Sequence, residues 1–458
     1  MTDRITAAIK YYRENKARYL DELVEVSRFP SISTDPEAKA ALLKTAEWIA
    51  AKLSRLSMEN VTIYPTLGHP VVYAERLKAG SLAPTMLVYG HYDVQPPEPL
   101  ELWKSGPFEP TLRGEYIYAR GVTDMKGQVE AVLNAVEAVQ STGPLPINIK
   151  FLIEGEEEIG SPSLTKFISE NKELLSCDFA LNPDTGMLNI DVPTITYALR
   201  GMAYFELRVY GPDHDLHSGV FGGAVHNPAQ VLCELIAGMH DDQGRVTLPG
   251  YYDSVLDLEE EERAELARLP VTRDSMLEQC GAPDLWGEAG YSPVEQTGAR
   301  PTLEVNGLYS GYTGPGAKTV LPAGAMAKIS MRLVPNQEPE QVKEQLTRYL
   351  EARAPKTVRW ELDDLVGGPP SISDRNSVWI QALSDALEEV WGKRPLFKRE
   401  GGSVPVVSLF SEILKVETVN TGFSTPSDNM HSPNEMMHLP TWHRGTEALV
   451  HFIFNMEN

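Results

Sequence analysis

Two histidines and a set of carboxylates stand out by where they fall. His91 and Asp93 follow the apolar run 85–89, Glu156, Glu157 and Glu158 follow the apolar run 147–153, and Asp124, Asp184 and His431 lie at further breaks between apolar stretches. Carboxylates crowded at the mouth of a buried segment repel one another, and become favourable when cations sit between them. Imidazole mixed with carboxylate suits zinc or manganese better than calcium. If four of these carboxylates converge, their charge of about −4 matches two divalent ions, held roughly 3.5–4 Å apart by a bridging carboxylate. Each group alone admits a plainer reading. The three glutamates could be the acidic first turn of a solvated helix, Asp124 a helix N-cap, and either histidine a packed or exposed residue.

Such groups need a framework that brings strand ends together. The runs 85–89 and 147–153 read as buried strands of a mostly parallel sheet, where ligands gather at strand ends. Apolar residues at helical spacing predict helices over 5–27, 36–56, 162–175 and from Asp124 to about Val139, with strands over 61–64, 71–73 and 178–181. This alternation specifies an α/β catalytic domain with helices flanking the sheet. After residue 197 the texture changes. Strands over 202–210, 325–334 and 358–362 and helices over 228–239 and 338–354 predict a separate α+β domain, and Gly367-Gly368-Pro369-Pro370 reads as a linker. Helices over 377–391, 404–414 and 442–454 return to an α/β layer. The expected organisation is a catalytic domain made of 1–197 and 372–458, interrupted by an inserted domain over 198–371. Within the insert, 251–300 is acidic and partly helical, and its run DLEEEERAELARL reads as a solvated face.

The chain has 458 residues, enough for two or three cores. Its 41 basic and 64 acidic residues leave a net charge of −23, which argues against nucleic acid or an anionic membrane as partner. Cys177, Cys233 and Cys280 are too few and too scattered for a disulfide framework or a thiolate metal site, and point to a reducing compartment. The first residues carry no apolar leader and no stretch approaches about 18 uninterrupted apolar residues, so a soluble cytoplasmic protein is expected.

The segments GHYDVQP, ARGVTDMKG, EGEEEIGS and DNMHSPNE, in that order, resemble the dinuclear zinc metallopeptidase family that includes carnosinase, cytosolic nonspecific dipeptidase, carboxypeptidase G and the aminoacylases. TYALRGMAYFELRV, DLHSGVFGG, GAKTVLPA, MRLVPNQ and REGGSVPV look most like the cytosolic dipeptidases, and the insert over 251–300 carries none of these motifs. The resemblance implies a zinc-exopeptidase-like catalytic domain with an inserted lid and dimerisation domain. It implies that His91 and Asp184 ligate one divalent ion, Glu158 and His431 a second, and that Asp124 bridges both through a cis peptide to Met125. Zinc is the first choice of metal and manganese the second. Asp93 would orient His91, and Glu157 would be the general base, leaving Glu154 and Glu156 as bystanders. His217 is similar to a lid histidine that reaches the partner subunit's site in a homodimer and stabilises the oxyanion there. Thr319, Arg332 and Ser403 match positions that hold the C-terminal carboxylate of a small peptide, a task suited to the planar fork of arginine.

The implied reaction is hydrolysis of the peptide bond of a dipeptide or short peptide by a water activated by two divalent ions and Glu157. An N-acyl amino-acid amidohydrolase would use the same site without needing a free α-amine. Outside enzymes, the chain could be a metal-binding protein or dimerisation scaffold without catalysis, a reading that the presence of Glu157 opposes.

Overall fold

The structure, a computed structural model, describes residues 2–402 and 404–457, so Ser403 lies outside the described residues. The chain divides into two compact units, one of Met1–Tyr197, Ser373–Phe397 and Pro405–Asn458, the other of Ala198–Ile372 and Lys398–Val404.

The first unit is built on a sheet whose central strands, in the order Asn148–Glu154, Thr85–His91, Phe179–Asn182 and Glu417–Asn420, run parallel. Asn148–Glu154 and Phe179–Asn182 are buried at every position, as strands covered on both faces must be. Outward the pairing turns antiparallel, through Val71–Arg76 to Glu59–Tyr64 on one side and to Thr194–Leu199 on the other. Parallel pairing is thus confined to the centre of the sheet. The helix Gly127–Gln140, buried along nearly its whole length, packs against Thr2–Glu14 and Leu439–Asn455. The buried Trp442 fixes that last contact by donating its indole N–H to the Gly127 carbonyl at 2.7 Å.

The second unit is an antiparallel sheet in the order Thr302–Ser310, Gly324–Leu333, Gly201–Tyr210 and Arg359–Gly368. Gly201–Tyr210 and Gly324–Leu333 alternate strictly between buried and half-buried positions, the signature of a sheet with one covered face. Phe205, Leu207, Ile329 and Met331 on that face share a core with Val231 and Leu235 of helix Pro228–Ala237 and with Leu346 and Leu350 of helix Pro339–Arg353.

Several local expectations need correction. The helix expected over 5–27 is two helices, Thr2–Glu14 and Lys16–Ser27, and that over 162–175 is also two, Leu164–Glu170 and Lys172–Leu175. Both breaks fall on asparagines, Asn15 and Asn171, whose side-chain amides donate to the carbonyls of Tyr11 at 2.9 Å and Phe167 at 2.8 Å. The side-chain amide there shares its acceptor with the backbone N–H of the same residue. Gly367 and Gly368 belong to the strand Arg359–Gly368 rather than to a linker. Helix Gly127–Gln140 has Lys126, not Asp124, at its N-cap position, with no side-chain capping bond, so the N-cap reading fails. The acidic run after residue 256 is not wholly solvated, because Glu262 is buried and accepts from Arg399 Nε at 2.8 Å.

One half-buried histidine makes the stability of the first unit pH-dependent. His443 Nδ1 lies 2.6 Å from the Tyr12 hydroxyl. Burial first, and then the charge of Lys16, push the His443 pKa down to about 4 from its ordinary 6.5. The unfolded chain takes up this proton below about pH 6.5 while the folded chain refuses it until about pH 4, so stability is lost as pH falls through that window. Denaturant unfolding at pH 7 and 4.5 is expected to show a smaller loss for His443→Gln than for the wild type, and equal losses would refute this assignment.

Candidate metal centre

The four parallel strands end on one edge of the sheet, the place where α/β proteins bind ligands. Thr85–His91 ends on His91, Asn148–Glu154 runs on to Glu157 and Glu158, Phe179–Asn182 to Asp184, and Glu417–Asn420 to the loop carrying His431. Asp124 enters from the segment ahead of helix Gly127–Gln140, and its peptide bond to Met125 is cis. The Asp124 carboxylate lies between the two imidazoles, with Oδ1 3.1 Å from His91 Nε2 and Oδ2 2.8 Å from His431 Nε2. His91 Nε2 is also 3.8 Å from Asp184 Oδ2, and His431 Nε2 is 3.3 Å from Glu158 Oε2. Two groups therefore share Asp124, namely His91, Asp124 and Asp184, and Asp124, Glu158 and His431, with the ligand atoms of each within 4.8 Å of one another. One imidazole nitrogen and two carboxylates in each group form a donor set that could hold a divalent transition-metal ion. Glu157 belongs to neither group.

The glutamate turn shows how neighbouring residues are brought to one site. A continuing strand would send Glu157 and Glu158 to opposite faces. Instead a short helical turn spans Glu157–Ile159 and ends at Gly160 with φ of +84°. Gly155 must lack a side chain, since a Cβ there would come within 2.4 Å of the Tyr92 hydroxyl. The buried Asp93 carboxylate holds the turn by accepting from the backbone N–H groups of Glu157 at 3.2 Å and Glu158 at 3.0 Å. His91 Nδ1 lies 3.1 Å from the Asp93 carbonyl and 3.4 Å from its Oδ1, so Asp93 offers the imidazole both carbonyl and carboxylate. An Nδ1–H directed there leaves Nε2 facing Asp124.

With only the chain's own charges acting, the acids separate. Burial pushes Asp184 well above the usual carboxylate range. It also raises Glu157 to about 7, with His91 opposing and Glu158, Asp124 and Asp93 adding to the rise. Asp124 goes the other way, since hydrogen bonds from His431 and His91 outweigh the cost of its burial. His431 is raised to about 10 by its bonds to Asp124 and Glu158, and His91 is raised by Asp124 and Asp93 in spite of its burial.

Glu154 and Glu156 are not bystanders. Both are buried. Glu154 accepts from the Tyr89 and Ser161 hydroxyls, each at 2.8 Å, and Glu156 ties two loops together by accepting from the backbone N–H of His69 at 2.9 Å and of Ser163 at 3.1 Å. Gln95, which the sequence did not single out, donates to Glu158 Oε2 at 2.8 Å. In the second unit the structure brings His217 and Thr319 together, because Leu216–His217 pairs with Val320–Leu321 and the Ser218 N–H donates to the Thr319 carbonyl at 3.0 Å. Both His217 and Thr319 are exposed. Arg332 is on a different sheet and lines a cavity of about 380 Å³ with Arg200, Glu304 and Trp286 of the same unit.

A cluster of this kind at the carboxyl ends of parallel strands places the protein in the class of metal-dependent hydrolases. Residues 87–455 match peptidase family M20/M25/M40, and the chain belongs to that family. It is 30% identical to the Cys-Gly metallodipeptidase dug1 of Schizosaccharomyces pombe, over 97% of this chain and 96% of the relative. It is 31% identical to the human Beta-Ala-His dipeptidase, over 84% of this chain and 77% of the relative. Among solved structures, an M20 family metallo-carboxypeptidase from Sulfolobus solfataricus matches with a TM-score of 0.84 and 32% identity over 96% of this chain and 99% of that one. Human carnosine dipeptidase 1 matches with a TM-score of 0.78 and 30% identity over 99% and 98%.

Ions take histidine as neutral imidazole, so binding must expel the protons that His91 and His431 hold. Calorimetric titration with zinc or manganese in buffers of different ionisation enthalpy is expected to register proton release near pH 7, with affinity rising as pH rises. Added chelator is expected to lower the melting temperature of ion-loaded protein. Binding without proton release would show that the two imidazoles are already neutral before the ions arrive.

Proposed function

We propose that the chain hydrolyses the peptide bond of dipeptides or short peptides with two divalent ions, zinc first and manganese second, held by His91, Asp124, Glu158, Asp184 and His431. The observation that carries this reading is the sharing of Asp124 between two groups of ligands, with Glu157 close enough to feel their charges yet outside both. The names of its relatives add the substrate class, since they include two dipeptidases and a carboxypeptidase. Ions in these positions supply Lewis acidity to the scissile carbonyl and acidify the attacking water.

The chain's own residues do the rest. Glu157, poised near neutrality by burial, takes the proton of the attacking water and returns it to the leaving amine, so the cleaved amide gains one water in total. Asp93 holds Glu157 and Glu158 by their backbone amides, and so keeps base and ligand in register. Arg332, Thr319 and Ser403 hold the C-terminal carboxylate, for which an arginine fork offers bidentate recognition. His217, exposed beside the likewise exposed Val220 and Phe221, reaches the site of a second copy in a homodimer and there stabilises the oxyanion. The cysteines Cys177, Cys233 and Cys280 are all free, which supports a cytoplasmic setting. No helix among the described residues is long and apolar enough to cross a membrane.

Glu157→Gln is expected to retain its ions and to lose at least about 10²-fold in turnover, the scale of a general base; near-normal turnover would remove Glu157 from that role. A panel of dipeptides and N-acyl amino acids, run with zinc and with manganese, separates peptidase from deacylase by whether a free α-amine is required. Heterodimers of a His217→Ala chain with a Glu157→Gln chain are expected to regain activity, since one of their two sites then has both residues. Verified heterodimers that stay inactive would show that each subunit works with its own His217.

A further inference from the structure

Glu435 lies four residues beyond His431, and its side chain is fully buried. One carboxylate oxygen, Oε2, accepts from Arg120 Nη1 at 2.7 Å and from the backbone N–H of Gly121 at 2.9 Å. The other, Oε1, accepts from the backbone N–H groups of Thr123 at 3.0 Å and Asp124 at 3.2 Å. All four donors belong to the segment that ends in Asp124. A second acid of the same loop, the buried Asp428, accepts from the Thr123 hydroxyl at 3.2 Å.

We propose that Glu435 is the positioning residue of the metal centre, locking the Asp124 segment to the His431 loop so that the shared carboxylate is aimed at both imidazoles before any ion arrives. The inference rests on the reading of Asp124 and His431 as ligands. Its physical basis is that a ligand pair from distant parts of the chain pays an ordering cost on binding unless something else has already set its spacing. Here that spacing, 2.8 Å between Asp124 Oδ2 and His431 Nε2, joins residues 307 apart in sequence. Glu435 spans the same two segments through the backbone. Its four bonds act on main-chain atoms and on Arg120, so it can fix the direction of Asp124 without occupying a ligand position.

A carboxylate that serves the fold alone would change the melting temperature and leave the ion affinity of folded molecules untouched. The test is competition titration of zinc and of manganese against a chromophoric chelator, well below the melting transition, for the wild type, Glu435→Gln and Glu435→Asp. The glutamine keeps the shape but, in either amide orientation, replaces one acceptor with a donor that faces N–H groups, and the aspartate keeps the charge but is one methylene too short. Affinity is expected to fall by about 10–100-fold in both, the range for groups that orient ligands, with a correct far-UV circular dichroism spectrum. Unchanged affinity in either folded variant overturns the proposal while leaving the ligand assignment intact, whereas a wild type that binds no divalent ion overturns the ligand assignment itself. A further measurement uses the wild type alone. In chelator-treated protein the amides of Gly121, Thr123 and Asp124 are expected to exchange slowly with solvent, and fast exchange that slows only on addition of zinc would show that the ion, not Glu435, orders the segment.

Discussion

Asp124 faces one imidazole with each oxygen, and Glu157, Glu158 and Asp184 crowd around it. Two like charges about 4 Å apart repel by about 4 kcal/mol even at an effective dielectric constant of 20. A few such pairs would consume most of the 5–15 kcal/mol or so that keeps a protein folded. The site is tolerable because its charges are not left alone. Burial and the neighbouring acids raise Asp184 and Glu157 and so favour their protonated forms, the imidazoles stabilise the Asp124 anion, and divalent ions are the remaining means of compensation. The same repulsion that makes the cluster costly for the fold is what makes it a cation site.

Around that cluster stands a second set of acids that hold backbone N–H groups. Asp93 holds the amides of Glu157 and Glu158, Glu156 those of His69 and Ser163, and Glu435 those of Gly121, Thr123 and Asp124. Each takes backbone N–H groups in turns where neither helix nor sheet could satisfy them, which answers the need of buried amides for partners.

The positions at strand ends were legible from sequence because two signals coincide there, an apolar run that must be buried and a polar group that must have a reason to follow it. His91, Glu157, Glu158 and Asp184 stand out in this way, and the ordered motifs around them carry the family resemblance. The grip of these acids on the backbone was not legible, even for Asp93, which stood out only as a partner for His91. Glu156 looks like one of three equivalent glutamates, and its partners, His69 and Ser163, become its neighbours only once the chain has folded. The breaks at Asn15 and Asn171 escaped for a different reason, since apolar spacing continues across them and only the local side-chain bond reveals the interruption. Strand Thr302–Ser310 also went unread, because it is an edge strand with irregular exposure and a register shift between Val305 and Gly307, so no alternation marks it.

The place of Glu417–Asn420 in the sheet carries a consequence for biosynthesis. This strand sits between Phe179–Asn182 and Thr194–Leu199, so two segments close in sequence are separated in the sheet by one made more than two hundred residues later. A chain emerging from the ribosome carries the acids of the site long before the strand that completes the sheet and the His431 loop that follows it. The second unit, by contrast, is almost entirely contained in Ala198–Ile372 and has its own core, so it can fold while the first is still incomplete. The metal centre is therefore among the last parts of the molecule to exist, and until then the nascent chain exposes an unfinished parallel sheet edge with uncompensated negative charge beside it.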